Sequence, residues 1–239
     1  MYNAVEASPD GLSALSDTRD GMARSTKIEA QETRNRILDA AQQVFHAQGV
    51  SHTSLEDVAQ AADVTRGAIY WHFKNKEDLF NAMSQRVRLP LEAMVQASGE
   101  AGEIDPLGQL RSFLVFVLQE TALNPQSRTV FDILFLKCEF VDANGPIRAR
   151  RQQEFTNALT NFERAMTNAI TRGQLPDNLD VSLACRALHA MMRGLIIDWL
   201  FMPEKSDLAA DAPKLVDACL DMVRYAPGLR RSSLQAMPG

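Results

Sequence analysis

Apolar residues recur along this chain at intervals of three and four, the period of a helix with one buried face, and no stretch alternates as a half-buried strand does. Ile37, Ala41, Val44 and Phe45 share a face of a helix predicted over 27–48. Gly49 follows, where a left-handed cap is wanted. A short helix then starts at Ser54, whose hydroxyl can cap the first amides while Asp57, three residues on, completes a box-like start. Leu55, Val58, Ala59 and Ala62 form its inner face. Asp63 and Val64 make a tight turn, Thr65 caps a helix over 66–72, and Asn75 caps a fourth over 76–97. Glu77 and Asp78 in that first turn suit the helix dipole.

Beyond a Gly/Glu-rich connector at 98–105, Pro106 opens an apolar helix to 123 carrying Leu110, Phe113, Leu114, Val117 and Leu118. Asn124 and Pro125 break it, and a helix over 126–140 follows. Asn144, Gly145 and Pro146 start a long helix to 172, striped by Ile147, Phe155, Leu159, Phe162, Met166 and Ile170. After a loop at 173–176, two more helices are expected over 181–201 and 208–225, separated by Pro203. The fold class is therefore all-α with about nine helices: an N-terminal three-helix domain containing a helix-turn-helix, and a larger helical domain. The expected boundaries are 1–26 as a disordered extension and basic arm, 27–75, 76–226, and a flexible tail over 227–239.

Composition narrows the class. Hydrophobic content of 46% with 23% charge is that of a globular chain. No apolar run approaches the roughly 18 residues that span a bilayer, so no membrane partner is expected. The start lacks a basic segment followed by an apolar one, which argues against a secretory signal. Cys138, Cys185 and Cys219 cannot all pair and have no metal-ligand spacing, so they read as reduced thiols of a cytoplasmic protein without metal or cofactor. The net charge is −5, but residues 1–21 hold Glu6, Asp10, Asp17 and Asp20 against Arg19. Residues 22–36 then hold Arg24, Lys27, Arg34 and Arg36 against Glu29 and Glu32. DNA responds to such local placement rather than to the total. The helix-forming run beginning at Met22 suggests that Met22 is the natural start.

Two short helices joined by a three-residue turn, with small Ala59 where they cross, are the layout of a helix-turn-helix. The second helix of such a pair enters the major groove, with its first residues against base edges. Here those are Thr65, Arg66 and Gly67. Arginine can grip guanine O6 and N7 with two donors, and glycine lets the backbone come close. Tyr70, His72 and, in part, Trp71 suit contacts further along. Lys76 sits at a helix N-terminus, and Thr53 precedes the pair as a further phosphate donor. Ile69 and Phe73 follow the inner face and read as core.

The stretch 33–79, above all the run VTRGAIYWHFKNKEDL at 64–79, resembles the signature of the TetR family of bacterial repressors. The resemblance implies that Thr65, Arg66, Gly67, Tyr70, His72 and Lys76 contact DNA and that Thr53 meets a phosphate. Asp63 departs from the family's turn glycine; Asp tolerates left-handed geometry better than most residues, so a small stability cost is expected.

The second domain is larger than DNA binding needs, and it is rich in phenylalanine and methionine: Phe113, Phe116, Phe131, Phe135, Phe140, Phe155 and Phe162 with Met166, Met191, Met192 and Met202. Such side chains make adaptable apolar walls. The helix over 181–201 is apolar nearly all round and needs cover on both flanks, one of them suited to a partner subunit. Weaker similarities at 105–108 (DPLG), 137–140 (KCEF), 172–176 (RGQLP) and 194–200 resemble the branch of the family that represses multidrug efflux pumps. That resemblance implies a homodimer through the last two helices, a palindromic double-stranded operator and a hydrophobic small-molecule effector. By position it places Val87, Leu91, Leu110, Phe113, Leu114, Val117, Phe131, Phe135, Ala158, Phe162, His189, Met192, Arg193 and Ile196 around the effector. Control of an unrelated metabolic or stress operon is the alternative. Two further readings compete: an enzyme using His189 with Cys185, which lacks an orienting acid, and a ligand-free DNA-binding protein with a solid upper domain.

Overall fold

The computed structural model describes residues 13–100, 102–138 and 146–231, and among these nine α-helices carry the architecture. Helix α1 (Ser13–Gln48) starts well ahead of the expected residue 27. Nothing between Ser13 and Lys27 breaks a helix: there is no proline, and an interior glycine such as Gly21 costs only about 1 kcal/mol against alanine. The expectation of a disordered extension is thus corrected for 13–26, while 1–12 and the side chains of the basic arm before Lys27 lie outside the described residues. Gly49 ends the helix at φ +82, the left-handed geometry it was expected to supply.

Helices α2 (Leu55–Ala61) and α3 (Arg66–His72) form the expected pair. Ser54 and Asp57 complete a reciprocal capping box, and Thr65 Oγ1 accepts from the Ala68 amide at 3.1 Å. Between them Asp63 adopts φ +52, so the left-handed turn survives without glycine. Ile37, Ala41, Phe45, Val58, Ile69, Phe73 and Phe80 close the small core beneath, with Phe45 and Phe80 edge to face at 5.9 Å.

Helix α4 (Lys76–Ser98) leaves this core and enters the larger domain, where it meets α5 (Pro106–Leu123), α6 (Pro125–Leu136) and α7 (Pro146–Thr171). Asp105 and Asn124 cap α5 and α6 at positions where proline opens each helix. α6 stops at Leu136 instead of running to 140. Lys137 departs from helical geometry, and its carbonyl accepts from the Val50 amide at 3.3 Å in the loop after α1. Phe140 and the expected turn at 144–145 lie outside the described residues.

α8 (Val181–Phe201) and α9 (Leu208–Tyr225) begin on Asp180 and Asp207 caps and keep their expected bounds. The tail does not fray at Pro227 as expected. Pro227–Leu229 forms a 3-10 turn with Leu229 buried. Leu229 O accepts from the Asp180 amide at 2.9 Å, Arg231 pairs with Asn178 and Leu179, and the Arg230 guanidinium donates to the carbonyls of Val223 and Arg224. These bonds pin 227–231 to the start of α8 and the end of α9; residues 232–239 lie outside the described residues.

Candidate nucleic-acid interface and cavity

α3 projects from the small domain with its N-terminal half exposed. Arg66 is 73% exposed along its side chain, Nε lies 3.2 Å from Glu56 Oε1 on α2, and its guanidinium lies over the Tyr70 ring at 5.6 Å. Tyr70 donates its hydroxyl to the same Glu56 oxygen at 3.3 Å. A Cβ built on Gly67 would meet only Thr65 Oγ1, at 3.8 Å, so nothing inside the chain demands glycine there. Gly67 is exposed, with open space beyond that one contact.

Trp71 is 73% exposed, too open to be core. His72 is half-buried and packs edge-on to Trp71; burial first, and then Arg34, hold its imidazole below the usual 6.5. Arg34 in turn lies over the Phe73 ring at 5.1 Å. Lys76 begins α4 and donates to Ser51 O at 3.0 Å, which fixes its ammonium beside the loop ahead of α2. Thr53 is the exception. It is 3% exposed, and its hydroxyl donates to Gly49 O at 2.8 Å, so the side chain locks the α1–α2 loop and is not presented to a phosphate. Glu56 was missed, because beside a capping Asp57 it reads as ordinary first-turn acid.

In the larger domain α4, α5, α6, α7 and α8 enclose an open-mouthed cavity of about 1050 Å³. Its wall includes Leu91, Phe113, Leu114, Val117, Phe131, Phe135, Ala158, Phe162, His189, Met192, Arg193 and Ile196. Val87 and Leu110 belong instead to the packed core, at 8% and 0% exposure. The next residue on α4, Arg88, faces the cavity because each helical step turns the side chain by about 100°. The methionine set also divides: Met192 lines the cavity, Met166 is sealed in the core, and Met191 and Met202 point outward.

The polar part of the wall was not anticipated. Arg88 pairs with Glu92 at 2.6 Å and closely with Glu154, whose carboxylate also meets Arg150 at 3.3 Å. In sequence these residues look like solvated helix faces; the approach of α4 to α7 leaves Arg88 and Glu154 only half-buried and paired. His189 stands edge-on to Phe155 at 4.9 Å and tilted to Phe162 at 6.3 Å. Burial, helped by Arg193, keeps its imidazole below the usual 6.5. Cys185 does not join it. The thiol is buried, faces Met166 Sδ at 3.5 Å, and is pushed up to about 12 by burial, which suits packing and not nucleophilic chemistry.

Two helices touch both the cavity and the small domain. α4 carries Lys76 at one end and Leu91 and Val95 on the wall, with Arg86 bonded to Asp39 of α1 at 2.5 Å. α6 supplies Phe131 and Phe135 to the wall, while Asp132 Oδ2 lies 3.0 Å from His46 Nε2 of α1 and Gln126 O accepts from Gln42 at 3.3 Å.

An exposed, capped recognition helix joined in this way to an apolar cavity defines a helix-turn-helix transcriptional regulator. The chain belongs to the TetR family of bacterial regulatory proteins: that family's model matches residues 37–83, and the C-terminal region of the MAATS-type transcriptional repressors matches 105–225. It is 43% identical over 210 residues to the HTH-type transcriptional regulator TtgR of Pseudomonas putida, covering 88% of this chain and all of that one. NalD, the secondary repressor of the MexAB-OprM multidrug efflux pump in Pseudomonas aeruginosa, has a similar structure, with a TM-score of 0.74 and 35% identity over 84% of this chain and 100% of its own. SmeT in complex with triclosan also matches at 0.74, with 32% identity over 87% of this chain and 99% of that chain.

Proposed function

We propose that this chain is a dimeric repressor of a multidrug efflux operon that leaves its palindromic operator when a hydrophobic small molecule enters the cavity. The observation that carries the reading is the double attachment of α4 and α6, each with residues on the cavity wall and contacts to α1. A molecule that wedges α4 or α6 outward moves the small domain with it. Only a difference in affinity between the operator-competent and incompetent shapes can drive release. A hundredfold loss of operator affinity needs about 2.7 kcal/mol of coupling.

Dimerisation fits the outward faces of the last two helices. Ala190, Met191 and Phe201 on α8 and Ala218 and Tyr225 on α9 are exposed, and a Cβ on Gly194 would meet nothing within 4 Å. A second copy covering this face by two-fold symmetry would set two recognition helices about 34–36 Å apart, one turn of duplex. The reading makes the protein a binder of DNA and effector and not an enzyme. Control of efflux genes is favoured by the likeness to NalD along that protein's full length.

Triclosan serves as the probe. Its addition should release a fluorescent operator from the wild type, and Ala158→Phe, which fills the cavity, should keep operator affinity while needing at least tenfold more triclosan. Release unaffected by filling the cavity would contradict the proposal.

A further inference from the structure

We propose that the effector is an aromatic molecule bearing a negative charge, a carboxylate or an acidic phenol, whose anion is held by Arg193 at the α8 wall. This rests on the effector-cavity reading above and names the chemistry that the cavity selects. The charges on the wall are unequally committed. Glu154 is shared between Arg88 and Arg150, and Glu92 is held by Arg88, so both wall carboxylates are already neutralised by neighbours and Arg88 is consumed in doing so. Arg193 and Arg164 also line the cavity, and neither has an ion-pair partner among the described residues. The unspent charge of the cavity is therefore cationic.

Arg193 is also placed to use that charge. Its guanidinium lies 5.5 Å from the centre of the Phe135 ring, which itself stacks on Phe131 at 5.9 Å with the planes within 9°. Lying over a ring takes up none of the guanidinium's N–H donors in hydrogen bonds, and those donors can grip a carboxylate with two parallel bonds. His189 sits one helical turn earlier on α8 and lines the same wall. Its ring is kept neutral by burial and by Arg193, so it can donate one further hydrogen bond without adding a second unpaired cation. Phe113 and Phe162, edge to face at 6.2 Å, offer the ring of the effector an apolar slot beside these groups.

The same arrangement selects against the other charge types. A cationic aromatic meets Arg193 and finds both carboxylates occupied. A neutral one covers Arg193 without pairing it, which costs the desolvation of a charge. The expected order is anion, then neutral, then cation.

Isothermal titration of the full chain with 2-naphthoate, 2-naphthamide and 2-naphthylmethylammonium at pH 7.5 tests this, since the three share one ring and differ in charge. Naphthoate should bind at least tenfold tighter than the amide, with the ammonium weakest, and Arg193→Met should bring naphthoate to within about threefold of the amide. The wild-type order needs no variant, and thermal melts establish that Arg193→Met is folded; Arg193→Gln is the second variant if it is not. Equal binding of acid and amide, tightest binding of the ammonium, or a preference that survives loss of Arg193 would overturn the assignment. If the amide binds and releases operator while naphthoate has no advantage, the effector cavity stands and only the anion is lost. If none of the three binds, both fall.

Discussion

Glu56 Oε1 lies 3.2 Å from Arg66 Nε, so the guanidinium best suited to read guanine is tied to a carboxylate on the preceding helix. Tyr70 shares that oxygen, which sets Glu56, Arg66 and Tyr70 as one polar cluster across α2 and α3. Both charged side chains are well exposed, at 46% and 73%, and an exposed pair of this kind is worth at most about 1 kcal/mol. Exchanging Glu56 for a guanine edge therefore costs little. On a duplex in which Arg66 found no guanine, the same carboxylate would stay in place and repel phosphates. Glu56→Gln should accordingly tighten binding to random duplex by roughly threefold to tenfold while changing operator affinity less. Fluorescence anisotropy against both duplexes measures the ratio, and an unchanged ratio would remove Glu56 from specificity.

Arg66→Ala should weaken operator binding by about 1–3 kcal/mol and relax base preference at one position of each half-site. Lys76→Ala should behave differently, weakening all sequences alike and flattening the salt dependence by about one unit for each phosphate that is no longer neutralised. Because Lys76 also holds Ser51 O at 3.0 Å, a small loss of melting temperature should accompany it. A salt slope equal to that of the wild type would count against a phosphate role.

The N-terminus of α5 offers a test of local packing. A Cβ on Gly108 would overlap Asp105 Oδ2, displacing the carboxylate that accepts from the Gly108 amide at 2.9 Å and from Gln174 at 2.6 Å. Gly108→Ala should therefore cost up to about 1 kcal/mol, the value of a strong lost cap net of better helix propensity. In an Asp105→Ala background the same change should be neutral or stabilising. Denaturant melts of the four chains read this reversal of sign directly, and additivity would refute it.

Acid should weaken the fold in part through His189. Its imidazole is held below 6.5 in the native state, by burial first and Arg193 second. Around and below pH 6.5 the unfolded chain then binds more protons than the folded one, so stability falls as the pH drops through and below about 6.5 and is insensitive to this group well above it. His189→Gln should melt with a shallower pH dependence over that window. Parallel curves for the two proteins would show that His189 contributes nothing.

Local chemistry was legible in the sequence. Gly49, Ser54, Thr65, Asn75 and Pro106 mark helix ends by caps and breakers, and the structure uses each of them. Most of the cavity's apolar wall followed from helical period and resemblance. What escaped depends on residues far apart in the chain. Arg88 and Glu154 look solvated until α4 meets α7, and Thr53 looks available until Gly49 turns its carbonyl back towards it. Leu229 and Arg230 look like a loose end until Asp180 and Val223 supply their partners.

The repressor account is tested most directly by titrating the full chain onto a palindromic duplex from its own promoter and onto a scrambled duplex of equal length, at physiological salt, with sedimentation giving the stoichiometry. The account predicts two protomers per palindrome and a preference of at least about 10³ over the scrambled sequence. A chain that binds as a monomer, or that holds both duplexes equally well, would contradict it.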